Sequence, residues 1–270
     1  MIKITLLISR LTSLELLQNN AFRVLLLGAL ILPLAAFVLC NLFMQDIGKV
    51  FIDGIIGLHH LFAWAFILFF ASPLLAKDVE SKTCYLLLCP PVTRNQYLMG
   101  RFIGILAMFV LLFFVLAISS ACITASLFDE SYSGYMSGLT LLTIPSISFF
   151  QFVNYLSMIG ALIFIFSWAT GVAEIMLFTM SVLFLSWLFP PMLSALQRPD
   201  LAQHTPEWNQ LLIKGVYQLF PHLNGANIAT ALAYGKELPL PQITAYCIEH
   251  ITYTALCLIL ASILFRKRNL

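Results

Sequence analysis

Charged residues are what this sequence has fewest of: 14 Lys or Arg and 12 Asp or Glu among 270 residues, or 10% of the chain. An ordinary soluble domain carries about a quarter charged residues. Hydrophobic residues make up 61% of the chain and the mean hydropathy is +0.95, so the composition excludes a water-soluble globular fold. The net charge of +2 comes without a Lys/Arg run interleaved with aromatics, so no nucleic-acid partner is expected.

The motifs of several catalytic classes are also absent. The chain has no G-x-x-x-x-G-K-[ST] and no polar stretch long enough for a nucleotide-binding fold, which excludes ATP hydrolysis by this chain. It has no G-x-S-x-G, no H-E-x-x-H and no paired intramembrane aspartates, which argues against an intramembrane enzyme and leaves no catalytic residue to assign. The six cysteines form no C-x-x-C pair. The five histidines lack ligand spacing, so no metal site is predicted.

What the sequence has instead is a series of long apolar stretches. A membrane-spanning helix needs roughly 20 apolar residues, and polar punctuation divides the chain into six such spans: 24–45, 54–76, 102–128, 149–170, 172–193 and 244–265. We therefore predict an all-α membrane protein in which residues 1–270 form a single transmembrane domain. A re-entrant segment near Pro145 stays open as an alternative in the crowded stretch 131–195.

The few positive charges divide unevenly between the two sides of such a bundle. Cytoplasmic loops carry an excess of Lys and Arg. With both termini cytoplasmic, the inner side would hold most of the basic residues: Lys3, Arg10, Arg23, Lys77, Lys82, Arg94, Arg101, Arg266, Lys267 and Arg268. The outer side would hold only Lys49, Arg198, Lys214 and Lys236. The sequence therefore predicts a multi-pass protein of the cell membrane with both termini in the cytoplasm.

Residues 1–20 predict a helix of the mature protein and not a cleaved signal peptide, because their apolar run is short and no small-residue cleavage site follows. Ile4, Leu7, Leu11 and Leu14 recur at spacings of three and four, which is typical of an amphipathic helix. We expect an interface helix on the cytoplasmic membrane surface. A cytoplasmic extension of the first span is the alternative.

Two polar segments lie between the spans. Residues 78–95 open with Asp78, Glu80 and Ser81, which suit a helix N-terminus, continue with apolar residues and stop at a proline pair. This pattern predicts a short cytoplasmic helix across the end of the bundle that is offered to a partner. An interfacial loop without a partner is the alternative. Residues 196–242 predict an extracytoplasmic loop that contains short amphipathic helices.

Residues 77–104 carry a definite order of residue types. An acidic residue precedes Ser-x-Thr, an apolar run, Pro-x-Thr-Arg, an aromatic residue and Gly-Arg: Glu80, Ser81, Thr83, Tyr85 to Leu88, Pro91, Thr93, Arg94, Tyr97, Gly100 and Arg101. This order resembles the corresponding segment of ABC-2-type exporter permeases. The C-terminal part of the chain is similar to the same family in its Pro/Asn-bearing loop, its Tyr234-Gly235 turn and its basic end.

The resemblance implies a permease subunit that pairs with a second copy or a close homologue and with two copies of a separate cytoplasmic ATPase. ATP and Mg would bind that ATPase, so this chain would hold no cofactor. Segment 78–95 would be the coupling helix, and its expected ATPase contacts are Asp78, Glu80, Ser81, Lys82, Thr83, Tyr85, Leu86, Leu87 and Arg94. Membrane lipid is a further partner, the bacterial inner membrane is the expected location, and a periplasmic partner stays open.

Polar residues inside the spans are candidates for lining a pathway, because ionisable groups in lipid are costly and most often functional. Gln151, Asn154 and Ser157 share one face of the fourth span, at spacings of three, and Glu249 and His250 lie in the first turns of the sixth. The alternatives are hydrogen bonds that hold helices together and side chains that reach the interface.

The leading functional hypothesis is export of a hydrophobic or lipid-linked substrate, or transmission of a conformational change across the membrane, driven by the partner ATPase. Permeases of cytochrome c or copper-enzyme maturation complexes share the resemblance and form the alternative within this class. A non-transporting membrane scaffold is the alternative from another class. It explains the spans but not the segment between the second and third of them.

Overall fold

The computed structural model describes residues 2–40, 42, 47–80, 92–127, 143–196, 207–223, 228, 230–231 and 239–267. Helices account for nearly all of these residues, and none of them lies in a β-strand. Six helices in the described part of the chain are long and apolar enough to cross a membrane: Asn20–Cys40, Val50–Glu80, Arg94–Ala125, Thr143–Trp168, Val172–Leu193 and Leu240–Lys267. The all-α architecture with six spans, and with it a multi-pass membrane protein, is confirmed.

The helices are labelled here in chain order. They are α1 (Ile2–Gln18), α2 (Asn20–Cys40), α3 (Ile47–Phe66), α4 (Ser72–Glu80), α5 (Arg94–Leu127), α6 (Thr143–Trp168), α7 (Val172–Leu196), α8 (Glu207–Leu219) and α9 (Leu240–Lys267). The second span consists of α3 and α4 joined by the π-helical turn Ile67–Ala71.

The third span, α5, is longer than the apolar stretch that predicts it. It begins at Arg94 and is about 51 Å long at 1.5 Å per residue, whereas the hydrocarbon core of a bilayer is about 30 Å thick. Hydropathy marks only the apolar part of such a helix and places its polar first turns in the preceding loop. Because the polar residues of α5 lie in its first turns, we expect these turns to extend out of the hydrocarbon core.

The π-helical turn makes the second span non-uniform. At this turn the backbone N–H of Ser72 bonds to the carbonyl of Ile67, so the turn is wider than in an α-helix, and such turns occur frequently at functional sites. Ser72 also donates a hydrogen bond from its hydroxyl to the sulfur of Met176 on α7, at 3.1 Å. The wide turn thus lies directly against the fifth span.

Helix α6 is the central element of the bundle. In its apolar window, 78% of the residues are buried, compared with 17% for α2. It packs against α3, α5, α7 and α9, and aliphatic residues of its second half, among them Ile159, Leu162 and Ile163, belong to a large hydrophobic core that all of these helices share. Since α2 presents most of its apolar surface outward, it is a peripheral helix whose exposed face suits lipid or another membrane protein.

Two glycines of α5 allow α1 to pack directly on that helix. A Cβ atom on Gly100 would lie 2.6 Å from the Cβ of Ile8, and one on Gly104 would lie 2.5 Å from the Cβ of Thr12. These approaches are shorter than real Cβ contacts. The pair has the small-xxx-small spacing that brings helix backbones close together in membranes.

The contacts of α1 and α2 show the direction of the N-terminal helix. Thr12 of α1 lies against Gly104, and the Ala29 carbonyl of α2 accepts a hydrogen bond from Ser119. At 1.5 Å per residue, these contacts advance by about 26 Å along α1 and α2 and by about 23 Å along α5. Helix α1 therefore continues the course of α2 beside the first turns of α5, and its position at the membrane interface stays a prediction.

The bundle has two chemically different ends. We define the stem end as the one where α4 stops at Glu80 and α5 starts at Arg94, and the far end as the one that carries α8. The described basic residues of α1, the start of α2, the end of α4, the start of α5 and the end of α9 gather toward the stem end: Lys3, Arg10, Arg23, Lys77, Arg94, Arg101, Arg266 and Lys267. If the stem end faces the cytoplasm, this distribution follows the positive-inside rule.

Candidate functional site

A cluster of buried polar side chains joins the helices on either side of segment 81–91. Arg101 of α5 donates from Nη2 to Oδ1 of Asp78 on α4 at 2.6 Å, and Tyr97 donates its hydroxyl to Oδ2 of Asp78 at 2.5 Å. The side chains of Arg101 and Asp78 are only 5% and 3% exposed. Both carboxylate oxygens are thus occupied by donors from one face of α5.

The same guanidinium reaches the N-terminal helix. Nη1 of Arg101 donates to Oγ1 of Thr12 at 3.1 Å and to Oε2 of Glu15 at 3.0 Å. Asp78, Tyr97, Arg101, Thr12 and Glu15 are called the stem cluster below. Through Arg101, the stem cluster connects α1, α4 and α5 in one hydrogen-bonded unit.

The aromatic ring of Tyr97 extends this unit to the centre of the bundle. It stacks on Phe265 of α9, with ring centroids 6.0 Å apart and an interplanar angle of 16°, and it lies 6.5 Å from the ring of Phe166 on α6. Arg94 also donates to the carbonyls of Phe265 and Arg266 at the end of α9, at 3.2 Å and 2.9 Å. The start of α5 therefore contacts four other helices: α1, α4, α6 and α9.

The stem cluster holds the helices that it joins in a fixed position relative to one another. A buried ion pair contributes little net stability, but removal of one partner leaves an uncompensated charge and costs about 3–5 kcal/mol. The arrangement therefore penalises any movement that separates α4 from α5. The outer pair, Lys77 with Glu15 at 3.8 Å, is solvent-exposed and contributes little.

The residues predicted to contact an ATPase divide into three groups. Ser81, Lys82, Thr83, Tyr85, Leu86 and Leu87 lie outside the described residues. Asp78 is buried in the stem cluster, whereas Glu80 is exposed at the end of α4. Arg94 lies at the first turn of α5, against the end of α9. The contact role remains a prediction for all of them.

The sequence did not assign a partner to Tyr97 or Arg101, although both lie in the motif that carries the resemblance. Hydropathy counts Arg101 among the basic residues of a loop, yet its side chain is nearly inaccessible. A usable signal exists: an acidic residue near the end of one span and an arginine near the start of the next can meet across the loop that joins them.

The predicted pathway residues of α6 lie in the interior of this single chain. Gln151, Asn154 and Ser157 are each 0% exposed. Ser157 donates its hydroxyl to the carbonyl of Asn154 at 2.7 Å and contacts Nδ1 of His250 on α9 at 3.1 Å. Since the hydroxyl proton is used, Nδ1 of His250 is the donor in that contact. These hydrogen bonds have the form of the helix-bridging alternative, and a pathway role stays a prediction.

On its other side α6 is joined to α3 by a second polar network, which includes the predicted pathway residue Gln151. His60 contacts the hydroxyl of Tyr155 at 2.5 Å and Nε2 of Gln151 at 3.3 Å, and Trp64 donates to the same hydroxyl at 2.9 Å. The neighbouring His59 is 0% exposed and bridges its own helix to Ser148 at 2.8 Å. Polar residues thus hold α6 to both α3 and α9.

A groove open to the surroundings lies between the second and fifth spans. Its volume is about 660 Å³, and it is lined by His60, Leu61, Trp64, Ala65, Leu68, Phe69, Phe184 and Trp187. The rings of Trp64 and Trp187 meet edge to face at 6.4 Å. Phe69, Phe184 and Trp187 are more than half exposed, so this aromatic groove presents apolar surface of the kind that accommodates hydrocarbon.

At the far end, Glu249 projects away from the α6 network. Its carboxylate pairs with Nδ1 of His222, the residue that follows α8 and Pro221, while Nε2 of His222 bonds to the carbonyl of Tyr217 at 3.0 Å. Tyr253 donates its hydroxyl to the carbonyl of Leu219 at 3.1 Å. The end of α8 is therefore tied to α9 at the mouth of a cavity of about 640 Å³.

Metal ligation has no candidate in the part of the chain that the structure describes. No group of three or more His, Cys, Asp or Glu residues there could hold a metal ion. Glu249 and His222 are too few for such a site and already bond to each other. The polar clusters therefore connect helices; they do not present an open set of ligands.

Comparison with known proteins agrees with the motif between the second and third spans. No curated protein matches the chain. The family model described as "ABC-2 family transporter protein" matches residues 39–270, which include the five spans after α2, the stem end and the segment between the spans. The chain therefore belongs to the ABC-2 family of transporter proteins.

Proposed function

We propose that this chain is the permease subunit of an ATP-binding cassette exporter and that a separate ATPase drives it from the stem end. The observation that carries this proposal is the stem cluster. In a chain of the ABC-2 family, buried charges hold both ends of segment 81–91 to the transmembrane bundle. A segment that is anchored in this way can transmit an external displacement to the spans.

In the proposed complex, two permease chains meet in the membrane, and each presents segment 78–95 to one ATPase copy. The stem end faces the cytoplasm, because the basic residues gather there. Glu80 and Arg94 are the polar contacts on either side of segment 81–91, while Ser81, Lys82, Thr83, Tyr85, Leu86 and Leu87 supply the remainder. Asp78 acts indirectly, since it is buried and holds the segment in place.

The proposed substrate is hydrophobic or lipid-linked. The aromatic groove supports this choice, because it offers flat rings and few polar atoms, with His60 as its ionisable lining residue. A strongly charged, water-soluble solute would find no counter-charge there. Its lining residues Phe69, Phe184 and Trp187 are exposed on the surface of the bundle, so an apolar substrate can reach the groove from the surrounding lipid.

Transmission of force to an outer partner is a second candidate, and the contact between α8 and α9 favours it. The pairs His222 with Glu249 and Tyr253 with Leu219 tie the outer segment to the last span. Movement of α9 would therefore move α8 with it. Maturation complexes for cytochrome c or copper enzymes would use such a coupling without passage of a substrate.

Co-purification tests the proposal. The protein with an affinity tag, extracted from its native membrane, should bring down a nucleotide-binding subunit and show ATP hydrolysis. The double variant E80Q/R94Q should remain in the membrane but lose most of the ATPase or its stimulation. R23Q, which removes an exposed arginine from the same end, is the matched control. Unchanged assembly and unchanged ATP hydrolysis in E80Q/R94Q would contradict the proposed contact, and absence of any ATPase would favour the scaffold.

A further inference from the structure

We infer that Arg101 is a positioning residue that locks α1, α4 and α5 into one rigid unit, so that the end of α4 and the start of α5 cannot move without the N-terminal helix. The inference rests on the proposed function for its consequence, since the movement is the one that an ATPase would impose. The rigid unit itself follows from the contacts of Arg101, Gly100 and Gly104 alone.

Arg101 joins the start of α5 to the end of α4. Asp78 lies near the end of α4 and Arg101 in the second turn of α5, and Nη2 and Oδ1 are 2.6 Å apart. With both side chains nearly inaccessible, water cannot replace either partner without opening the helix contact. The end of α4 and the start of α5 are therefore held at a fixed separation.

The same side chain also forms hydrogen bonds to α1. Arg101 uses its other terminal nitrogen for Thr12 and Glu15, and the planar guanidinium can address both sides at once. A lysine has a single ammonium on a flexible stem and cannot reproduce this fork. One residue thus determines the mutual position of three helices.

Helix α1 packs against α5 with no free space between the two helices at their closest points. The backbone of α5 approaches α1 at Gly100 and Gly104, where even a methyl group would collide with Ile8 and Thr12. Close-packed helices transmit displacement because little void volume can absorb it. A force on the end of α4 or the start of α5 therefore reaches α1 directly, and through α1 it reaches the peripheral span α2.

The test measures the spread of distances between α1 and α5. Spin labels are placed at the exposed positions Leu7 and Ile103, in a background in which the six native cysteines are replaced. The protein is reconstituted in liposomes and the label separation is recorded by electron paramagnetic resonance. The distribution should be narrow with Arg101 present and clearly broadened in R101Q, and K267Q, which removes an exposed charge at the end of α9, should leave it unchanged.

The double variant D78N/R101Q separates positioning from charge neutrality. It removes both buried charges, so it should fold and melt closer to the unaltered protein than R101Q does, yet its distance distribution should stay broad. R101K should keep the pairing with Asp78 but loosen α1. A narrow distribution in D78N/R101Q would overturn the inference, because the cluster would then serve only to neutralise a charge. This result can be obtained even if R101Q fails to fold.

Nucleotide trapping then connects the unit to the proposed function. In the complex with its co-purified ATPase, ATP with vanadate should leave the separation of Leu7 and Ile103 labels unchanged while both move relative to a label at Trp208. A change in the first distance on trapping would overturn the rigid unit. If no ATPase co-purifies, the proposed function fails, and the liposome measurement still decides the inference.

Discussion

At the residue scale, a few small and charged side chains determine how the stem end is assembled. Gly100 and Gly104 set the distance between α1 and α5, and Arg101 and Asp78 set the separation of α4 and α5. These positions are sensitive for different reasons: the glycines because there is no space, and the ion pair because either charge alone would be stranded in an apolar surrounding.

Gly104→Ala should destabilise the protein by about 1–3 kcal/mol, because the added methyl group would lie 2.5 Å from the Cβ of Thr12 and 2.8 Å from the carbonyl oxygen of Ser9. Gly57→Ala is the matched control, since a Cβ there meets no atom within 4 Å and alanine favours helix. Thermal unfolding of the purified proteins should show a lower Tm only for the first. Equal melting of the two variants would refute the close packing.

Asp78→Asn should cost about 3–5 kcal/mol, because it leaves Arg101 buried with only the more exposed Glu15 as a counter-charge. Glu80→Gln, two residues further along the same helix, removes an exposed carboxylate and should change stability little. The same unfolding measurement distinguishes them. A small effect of Asp78→Asn would mean that water or Glu15 compensates Arg101 fully.

At the scale of the helices, polar contacts join the central α6 to its neighbours, and the aromatic groove lies on the surface of the bundle. The histidines of α3 and His250 of α9 lie on opposite sides of α6 and anchor it to both neighbours. The aromatic groove between the second and fifth spans lies beside the π-helical turn, where the backbone of the second span is widened.

The aromatic groove should be in contact with lipid chains. Trp64 and Trp187 line it, and the chain has only two other tryptophans, Trp168 and Trp208. In liposomes that contain brominated phospholipids, tryptophan fluorescence should be quenched, and W64F/W187F should remove more of the quenchable signal than W208F. A quenchable fraction that is unaffected by W64F/W187F would show that protein covers the groove.

Glu249→Gln should loosen α8 from α9. The contact of the Glu249 carboxylate with His222 becomes a weaker contact of a neutral amide, while the hydrogen bond of Tyr253 to Leu219 remains. Hydrogen exchange over residues 207–223 should become faster, by several-fold, in the variant. Gln242→Ala, an exposed change on α9, is the control. Unaltered exchange would show that His222 is not what holds the segment.

At the scale of the whole molecule, length and hydropathy account for the six spans, while orientation depends on where the basic residues gather. The stem end carries most of the described Lys and Arg, and the far end carries α8. Helix α1 begins and helix α9 ends at the stem end, so we expect both termini on one side of the membrane.

Topology is tested by thiol labelling of intact cells. In a background without native cysteines, Trp208→Cys should react with a membrane-impermeant maleimide, whereas Lys3→Cys and Lys267→Cys should react only after the membrane is opened. The reason is that α8 follows an odd number of spans from the cytoplasm. Labelling of Lys3→Cys in intact cells would reverse the orientation and place the stem cluster outside.

The sequence by itself determined the class of this protein. Its scarcity of charge and six apolar runs leave only a helical bundle in lipid, and the motif around Glu80, Arg94 and Tyr97 pointed to the family that the comparison then confirmed. These properties are local or additive along the chain, so no contact between distant residues is needed to read them.

Only the tertiary structure decided which polar residues are exposed and which are paired. Asp78 and Glu80 are two positions apart in a polar segment, yet one is buried against Arg101 and the other is accessible. Likewise, hydropathy assigns Arg101 to a loop, although it joins three helices. Burial and pairing depend on the rotation of each helix and on which helices meet. Periodicity along a single helix leaves that choice of partner open, and packing settles it.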